Sequence, residues 1–431
     1  MKSSQRKICQ ILALVVSGMG ASVAMASPLL QGGGSSLVAP TIGNPGVAGT
    51  EINAFGTTEG TFTYYSVGSG AGQNAFLNNQ PTYLAPGLTG TVDFANSDAA
   101  LTTAQISAYK SGLATADGPL IQIPYVVTPI TVPVVNGPAV TSTTTPQTTP
   151  GQAHSIALND DDLCGIFSGG IKDWNAVINP ETGSAYSSTS SPIKVVYRLD
   201  GSGTTELLTR HLAAVCPSSS KTAAGVTFVD GLTFANNFSG GTVPSNFVGA
   251  TGSGGVRSAL LSYQTSGTQA AVAYLSPDYT NTFLAPSSSS ASTALAVASL
   301  YNKVDTHYYA PTAANASLAV SSAAAPNSKA LASSPAQWVP ASGNPSTGYP
   351  VSGTSEILVS QCYAASGVTT AVHDFLTHHY TDASFASIVH GNGFDTVPAG
   401  YQTAIQADFL SNTSGYNLDI GNATVCAGKG R

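Results

Sequence analysis

The stretch Arg198-Leu199-Asp200-Gly201-Ser202-Gly203-Thr204-Thr205 carries the residue types of an oxyanion cradle, with one member out of place. An apolar β-branched run precedes it (Ile193, Val195, Val196, Tyr197). Helical spacing follows it (Leu207, Leu208, His211, Leu212, Val215). A strand turning through Gly and Ser into a helix presents N–H groups that lack internal partners, at the positive end of the helix dipole. Arg198 adds a permanent charge, and Ser202 and Thr204 add hydroxyl donors. Asp200 is the odd member. A carboxylate suits such a loop if it holds Arg198 in place, or if the captured anion carries a proton.

Two more loops share this logic. Gly32-Gly33-Gly34-Ser35-Ser36-Leu37 lies early in the chain, and Gly68-Ser69-Gly70 opens a helix-like segment. In each, glycine lets backbone approach a ligand while a hydroxyl and N–H groups donate. A single loop of this kind is ordinarily just a turn. Three of them, with Arg198 and two aspartates (Asp98 and Asp200) at strand ends, form a constellation. Plainer roles exist for single members: Asp98 fits a helix cap, and Trp174 fits a core aromatic. His373, His378 and His379 do not match the HExxH spacing, so a structural or solvated role is expected for them. No metal site and no cofactor are expected.

The elements that must position these loops alternate between strand and helix, which indicates an α/β architecture. Phe62–Val67 reads as a strand leading to a short helix near Gln73–Leu77. Val92–Ala95 reads as a strand that ends at Asn96-Ser97-Asp98, with a helix over Thr103–Tyr109 beyond. Ile121–Val135 is long, apolar and broken by Pro124, Pro129 and Pro133, as expected of a crossing between lobes. Ser155–Leu158 and Ala270–Leu275 read as strands, the latter crossing back, and Val256–Tyr263 reads as a helix. A strand at Glu356–Val359 and helices at Thr369–His379 and Tyr401–Leu410 close the pattern. Thr141–Pro150, Pro286–Ser292 and Ala310–Pro345 are rich in Pro, Ser and Thr and are expected as surface loops.

Residues 1–26 have the layout of an export leader. Lys2, Arg6 and Lys7 start it, Ile8–Val16 form an apolar centre too short to span a membrane, and Ala24-Met25-Ala26 gives a cleavage pattern after Ala26. A periplasmic or secreted location follows, without stable membrane insertion. The net charge of −7 becomes −10 once the leader's three unbalanced basic residues are removed. That balance argues against nucleic acid as a partner. Cys164, Cys216, Cys362 and Cys426 remain after the leader, suggesting two disulfides with three pairings open. Cys164–Cys216 with Cys362–Cys426 is favoured, because each pair then closes a loop inside one lobe.

Six motifs, in order along the chain, carry a family resemblance: GGGSSLVAP (Gly32–Pro40), YYSVGSGAGQNAFLNN (Tyr64–Asn79), VDFANSD (Val92–Asp98), LCGIFSGGIKDWN (Leu163–Asn175), IKVVYRLDGSGTTEL (Ile193–Leu207), and GATGSGGV with AVAYLSPDY (Gly249–Val256, Ala271–Tyr279). The chain resembles the periplasmic phosphate-binding proteins of phosphate-specific ABC transporters, most closely their DING branch. The resemblance implies binding by Ser36 and Leu37 in the first loop, by Ser69 in the second, and by Arg198, Ser202, Gly203 and Thr204 in the third. It implies that Asp98 accepts a proton from phosphate, and that Asp200 pairs with Arg198 and can also face the ligand. The DING tetrapeptide is absent, and Asn44–Gly60 is Gly-rich where many transport-type members carry a long helix.

The expected fold is periplasmic binding protein-like (type II): two α/β lobes joined by two crossover strands around a cleft. The first lobe takes 27–128 and 278–431, the second 129–277. The expected activity is capture of inorganic phosphate by a monomer that hands it to an ABC transporter permease. Asp98 would penalise sulfate, which brings no proton at neutral pH. Two alternatives belong to other classes. One is a secreted phosphomonoesterase of the alkaline-phosphatase-like kind associated with DING-like proteins, although no residue stands out as an activated nucleophile. The other is an extracellular adhesion or surface protein.

Overall fold

The computed structural model describes residues 27–340 and 343–431, so the expected leader lies outside the described residues. In chain order the strands are β1 (Leu29–Gly34), β2 (Thr61–Ser66), β3 (Phe94–Ser97), β4 (Leu120–Pro129), β5 (Val134–Val135), β6 (Ala157–Leu158), β7 (Ile193–Arg198), β8 (Phe247–Ala250), β9 (Ala270–Ala273), β10 (Ser299–Asn302), β11 (His307–Tyr309), β12 (Ser352–Ser360) and β13 (Asp395–Thr396). They form a six-stranded sheet ordered β13-β4-β12-β3-β1-β2, a four-stranded sheet ordered β5-β9-β7-β8, and a small sheet ordered β11-β10-β6.

Parallel pairing decides where the loops go. β1 runs parallel to both β2 and β3, with Gly34 beside Ser66 and Asn96. The three strands therefore end at one edge, and the chain leaves it through Ser35-Ser36, Gly68-Ser69 and Asp98. In the second sheet β7 runs parallel to β8 and β9, so Arg198, Ala250 and Ala273 also end at one edge. Ligand sites in open α/β sheets lie beyond such carboxyl ends.

Two extended segments connect the sheets. β4 continues through Ile130–Pro133 into β5, and β9 leads through Tyr274 and Leu275 back towards the first sheet. The segments hydrogen-bond to each other at Thr131 and Leu275 (2.8 and 3.0 Å). The apolar Ile121–Val135 run is thus a crossing, as its sequence indicates. Its prolines remove backbone donors, and only Pro124 and Pro129 fall within a strand.

Helices cover the sheets with their apolar stripes. The helix Ser69–Leu77 buries Ala75 and Phe76 against Val92, Ala95 and Leu358. Gly203–Val215 buries Leu207, Leu208 and Leu212 in the main core, and Gly252–Ser266 buries Val256 and Leu260 against Val196 and Ala271. Trp174 is fully buried in that main core, its ring edge-on to Tyr186.

Two expectations change. The strand read at Val92–Ala95 sits later, at Phe94–Ser97, where it pairs with β1 over Gly32–Gly34 and with β12 over Glu356–Val359. Ala310–Pro345 is not wholly loop: helices form at Ala313–Val320 and Lys329–Ala332. The first is capped by Thr312, whose hydroxyl accepts from Asn315 N–H. In the small sheet, β10 pairs with β6 and β11 with β10. Both favoured disulfides are present, Cys164–Cys216 and Cys362–Cys426.

Candidate anion-binding site

The two carboxyl edges face each other, and the loops that leave them meet. Gly70 N–H donates to Gly201 O across the interface at 2.9 Å, and Ala100 N–H donates to Glu206 Oε1 at 3.2 Å. Two glycines allow the approach. A Cβ on Gly203 would lie 2.5 Å from Asp98 Cβ and 2.7 Å from Ala99 N. Gly68, at φ +90, would place a Cβ 2.5 Å from Asp200 Oδ2. The helix Gly203–Val215 therefore begins directly against the loop that carries Asp98.

One wall comes from the six-stranded sheet. Asp98 is buried at the end of β3, and both its oxygens accept hydroxyl protons: Oδ1 from Ser35 Oγ (2.5 Å) and Oδ2 from Ser69 Oγ (3.4 Å). Asp98 N–H donates to Ser69 Oγ in return (3.1 Å). Ser35 is held from behind, because Tyr64 OH donates to its carbonyl (2.7 Å). Burial pushes the Asp98 carboxyl above its ordinary range. The hydrogen bonds from Ser35 and Ser69 and the charge of Arg198 pull against that shift. Asp98 does not cap the helix after it; Thr102 does that.

The other wall comes from the four-stranded sheet. Arg198 Nε donates to Asp200 Oδ1 at 2.8 Å, and Nη2 bonds Oδ2. Burial alone would raise the Asp200 carboxyl, but the hydrogen bonds and charge of Arg198 hold it below the usual range. Tyr274 OH receives Arg198 N–H (3.0 Å) and bonds Thr205 Oγ1 (2.8 Å), locking the end of β7 to the start of the following helix. Ser202 caps that helix, its Oγ accepting from Thr205 N–H (3.2 Å). Thr204 Oγ1 is buried and has no hydrogen-bond partner among the described residues. An unmet buried hydroxyl costs about 1–3 kcal/mol.

The residues singled out from sequence, Ser36, Leu37, Ser69, Asp98, Arg198, Asp200, Ser202, Gly203 and Thr204, thus lie on the loops where the two edges meet. The first loop differs in detail from the expectation. Ser35 reaches Asp98, Leu37 N–H donates to Ser35 Oγ (3.0 Å), and Ser36 Oγ turns to Ser253 in the second lobe (2.9 Å). Ser35, Tyr64, Tyr274 and Ser253 escaped the sequence reading. Each nevertheless lies within one of the six motifs, Ser35 in the first Gly/Ser loop and Ser253 in the Gly-rich segment Gly249–Val256. The three histidines have partners of their own: His373 bonds Asp374 and Leu410 O, His378 bonds Asp382, and His379 bonds buried Glu51.

A two-lobed α/β molecule with an anion cradle between opposed strand ends is the architecture of a periplasmic-type binding protein. The family model described as a PBP superfamily domain matches residues 21–379. A protein called "Phosphate-binding protein", from an unknown prokaryotic organism, is 35% identical over 385 residues, covering 87% of this chain and 94% of its own. "Alkaline phosphatase L" of Pseudomonas aeruginosa is 35% identical over 418 residues, with 97% of each chain covered. Among solved structures, a high-affinity periplasmic phosphate-binding protein of the DING type, bound with phosphate, superposes with a TM-score of 0.73 at 34% identity, over 93% of this chain and 99% of that one. A phosphate-binding protein from Stenotrophomonas maltophilia gives 0.73 at 31% identity, over 94% and 100%. The chain belongs to the PBP superfamily and, within it, to the DING branch of the phosphate-binding proteins.

Proposed function

We propose that this protein is an exported receptor that captures inorganic phosphate between its two lobes and delivers it to an ABC-type uptake system. The observation that carries this reading is the opposition of two walls: Arg198 with the helix start at Gly203 on one side, and Asp98, buttressed by Ser35 and Ser69, on the other. The Arg198 guanidinium attracts the anion, and hydrogen bonds to a charged ligand contribute about 1.5–3 kcal/mol each. Ser36 and the Ser202–Thr204 segment supply further donors, joined by the Ser69 hydroxyl and Leu37 N–H when these turn from Asp98 and Ser35 to the ligand. Asp98 accepts the proton that phosphate carries and sulfate lacks. A phosphate-bound relative of the same fold, and two disulfides suited to an oxidising compartment, support the assignment. Among the described residues, no helix is long and apolar enough to cross a membrane. We place β10 and β11 in the second lobe, extending it past residue 277.

Calorimetric titration tests the proposal. Tight phosphate binding with little sulfate binding is expected; tight sulfate binding, or none for phosphate, would overturn it.

The name of the Pseudomonas aeruginosa relative favours a second reading, phosphomonoester hydrolysis at the same site. The hydroxyls hydrogen-bonded there have carboxylate, hydroxyl, guanidinium or backbone partners among the described residues, none of them histidine. Assay of chelator-treated protein on an aryl phosphate decides between the readings. Turnover that co-purifies with the protein and disappears in Arg198→Ala would establish the hydrolase.

A further inference from the structure

A fourth loop enters the site from the second lobe. The helix Gly252–Ser266 starts beyond β8, and Ser253 in its first turn is fully buried. Its N–H donates to Ser36 Oγ of the first lobe (3.1 Å), and its Oγ lies 2.9 Å from the same atom. Arg198 Nη1 donates to Ser253 Oγ at 3.5 Å, the outer limit of a hydrogen bond. Gly252 N–H donates to Asp200 Oδ1 (2.9 Å), so the carboxylate that grips Arg198 also anchors this helix start.

Counting protons shows that the contacts can run in a direction that frees a hydroxyl for the cleft. A serine hydroxyl has one proton and two acceptor sites, and a guanidinium only donates. Ser253 Oγ accepts from Arg198, and either hydroxyl can donate across the Ser36–Ser253 contact; the relay takes Ser253 as the donor. Ser36 Oγ then accepts twice, from the N–H and the O–H of Ser253. In that direction both its acceptor sites are filled and its own proton is free, on a buried residue in the cleft wall.

We propose that Ser253 is a positioning residue that aims the Ser36 hydroxyl proton at the bound anion, completing a relay from Arg198 through Ser253 and Ser36 to a phosphate oxygen. The relay spans both lobes and exists only when they are closed. It also sorts the ligand's oxygens: an unprotonated one meets Ser36, and the protonated one meets Asp98. This inference rests on the phosphate reading of the site.

The test is a double-mutant cycle on the full mature chain, with phosphate affinity read by calorimetry. Ser253→Ala should weaken phosphate binding about tenfold, the order of one net hydrogen bond, with an unchanged melting temperature. Ser258→Ala, on the exposed side of the same helix, should bind like the unmodified protein. Because Ser253 works through Ser36, adding Ser253→Ala to Ser36→Ala should cost nothing more. If Ser253→Ala does not fold, Ser253→Gly removes the hydroxyl without adding volume and is read the same way. Additive losses in the double mutant, or a Ser253→Ala affinity within about twofold of the unmodified protein, would overturn the relay. Failure of the unmodified protein to bind phosphate overturns the parent reading instead.

Discussion

The two walls of the cleft hold one carboxylate each, and the fold treats them in opposite ways. Asp200, beside Arg198, is held below the usual carboxylate range despite its burial, and its oxygens are taken by the guanidinium and Gly252 N–H. Asp98, on the facing wall, has neutral hydroxyl donors and is pushed upward by burial. One carboxylate is spent on geometry, while the other keeps acceptor capacity for a ligand. The Arg198 wall alone would attract any oxyanion, whatever its protonation. The Asp98 wall alone would attract none. Selectivity needs both within reach of the same ligand.

The comparison can be broken from the Arg198 side first. Arg198→Ala removes the cation and leaves Asp200 buried without its partner, so phosphate affinity should fall by at least about a hundredfold in calorimetry. A loss of less than about tenfold would show that the helix start carries the attraction instead.

Asp98→Asn tests the other wall. The amide replaces a charged acceptor with a group that can also donate, so sulfate affinity should rise while phosphate affinity falls about tenfold. Discrimination should suffer more than binding. Unchanged sulfate exclusion would move the proton-accepting role away from Asp98.

The approach of the walls is the next target. Gly203→Ala puts a methyl where 2.5 Å separates it from Asp98 Cβ, so the lobes cannot close fully. Phosphate binding should weaken by about tenfold, and small-angle scattering should report a more open molecule even with phosphate present.

The smallest effect is a pH dependence. Because burial raises the Asp98 pKa, acidification protonates it before an ordinary aspartate. The neutral carboxyl no longer repels sulfate, so sulfate should compete better with phosphate at pH 5 than at pH 8. Asp98→Asn should flatten that change. An opposite or absent trend in competition titrations would mean that Asp98 stays ionised throughout.

Much of the site was legible in the chain. Arg198, Asp200 and Ser202–Thr204 are contiguous, and a β-branched run followed by helical spacing shows that they sit at a strand-to-helix turn. Ser69 and Asp98 were legible for the same reason. The roles of Ser35 and Ser36 were not. The two are adjacent and chemically alike, and only the turn after β1 sends one to Asp98 and the other across the cleft. Ser253 was harder still, lying 217 residues from the serine it contacts. The helices within Ala310–Pro345 were obscured by Pro and Ser, because a cap at Thr312 and packing against neighbouring elements outweigh composition there.

Local chemistry therefore settles in the sequence itself: which loops hold donors, which residue bears the charge, which cysteines share a lobe. The α/β alternation and the apolar crossing at Ile121–Val135 belong to that level too, since each depends on spacing within a short window. The tertiary structure alone decides what faces what. Asp98 becomes a buried acceptor of the Ser35 and Ser69 hydroxyls, rather than a helix cap, because parallel pairing of β1 with β2 and β3 brings it beside them, and the crossover carries Gly203 against it. Hydrogen-bond direction and burial depend on neighbours distant in the chain, and closing the two sheet edges on each other supplies them.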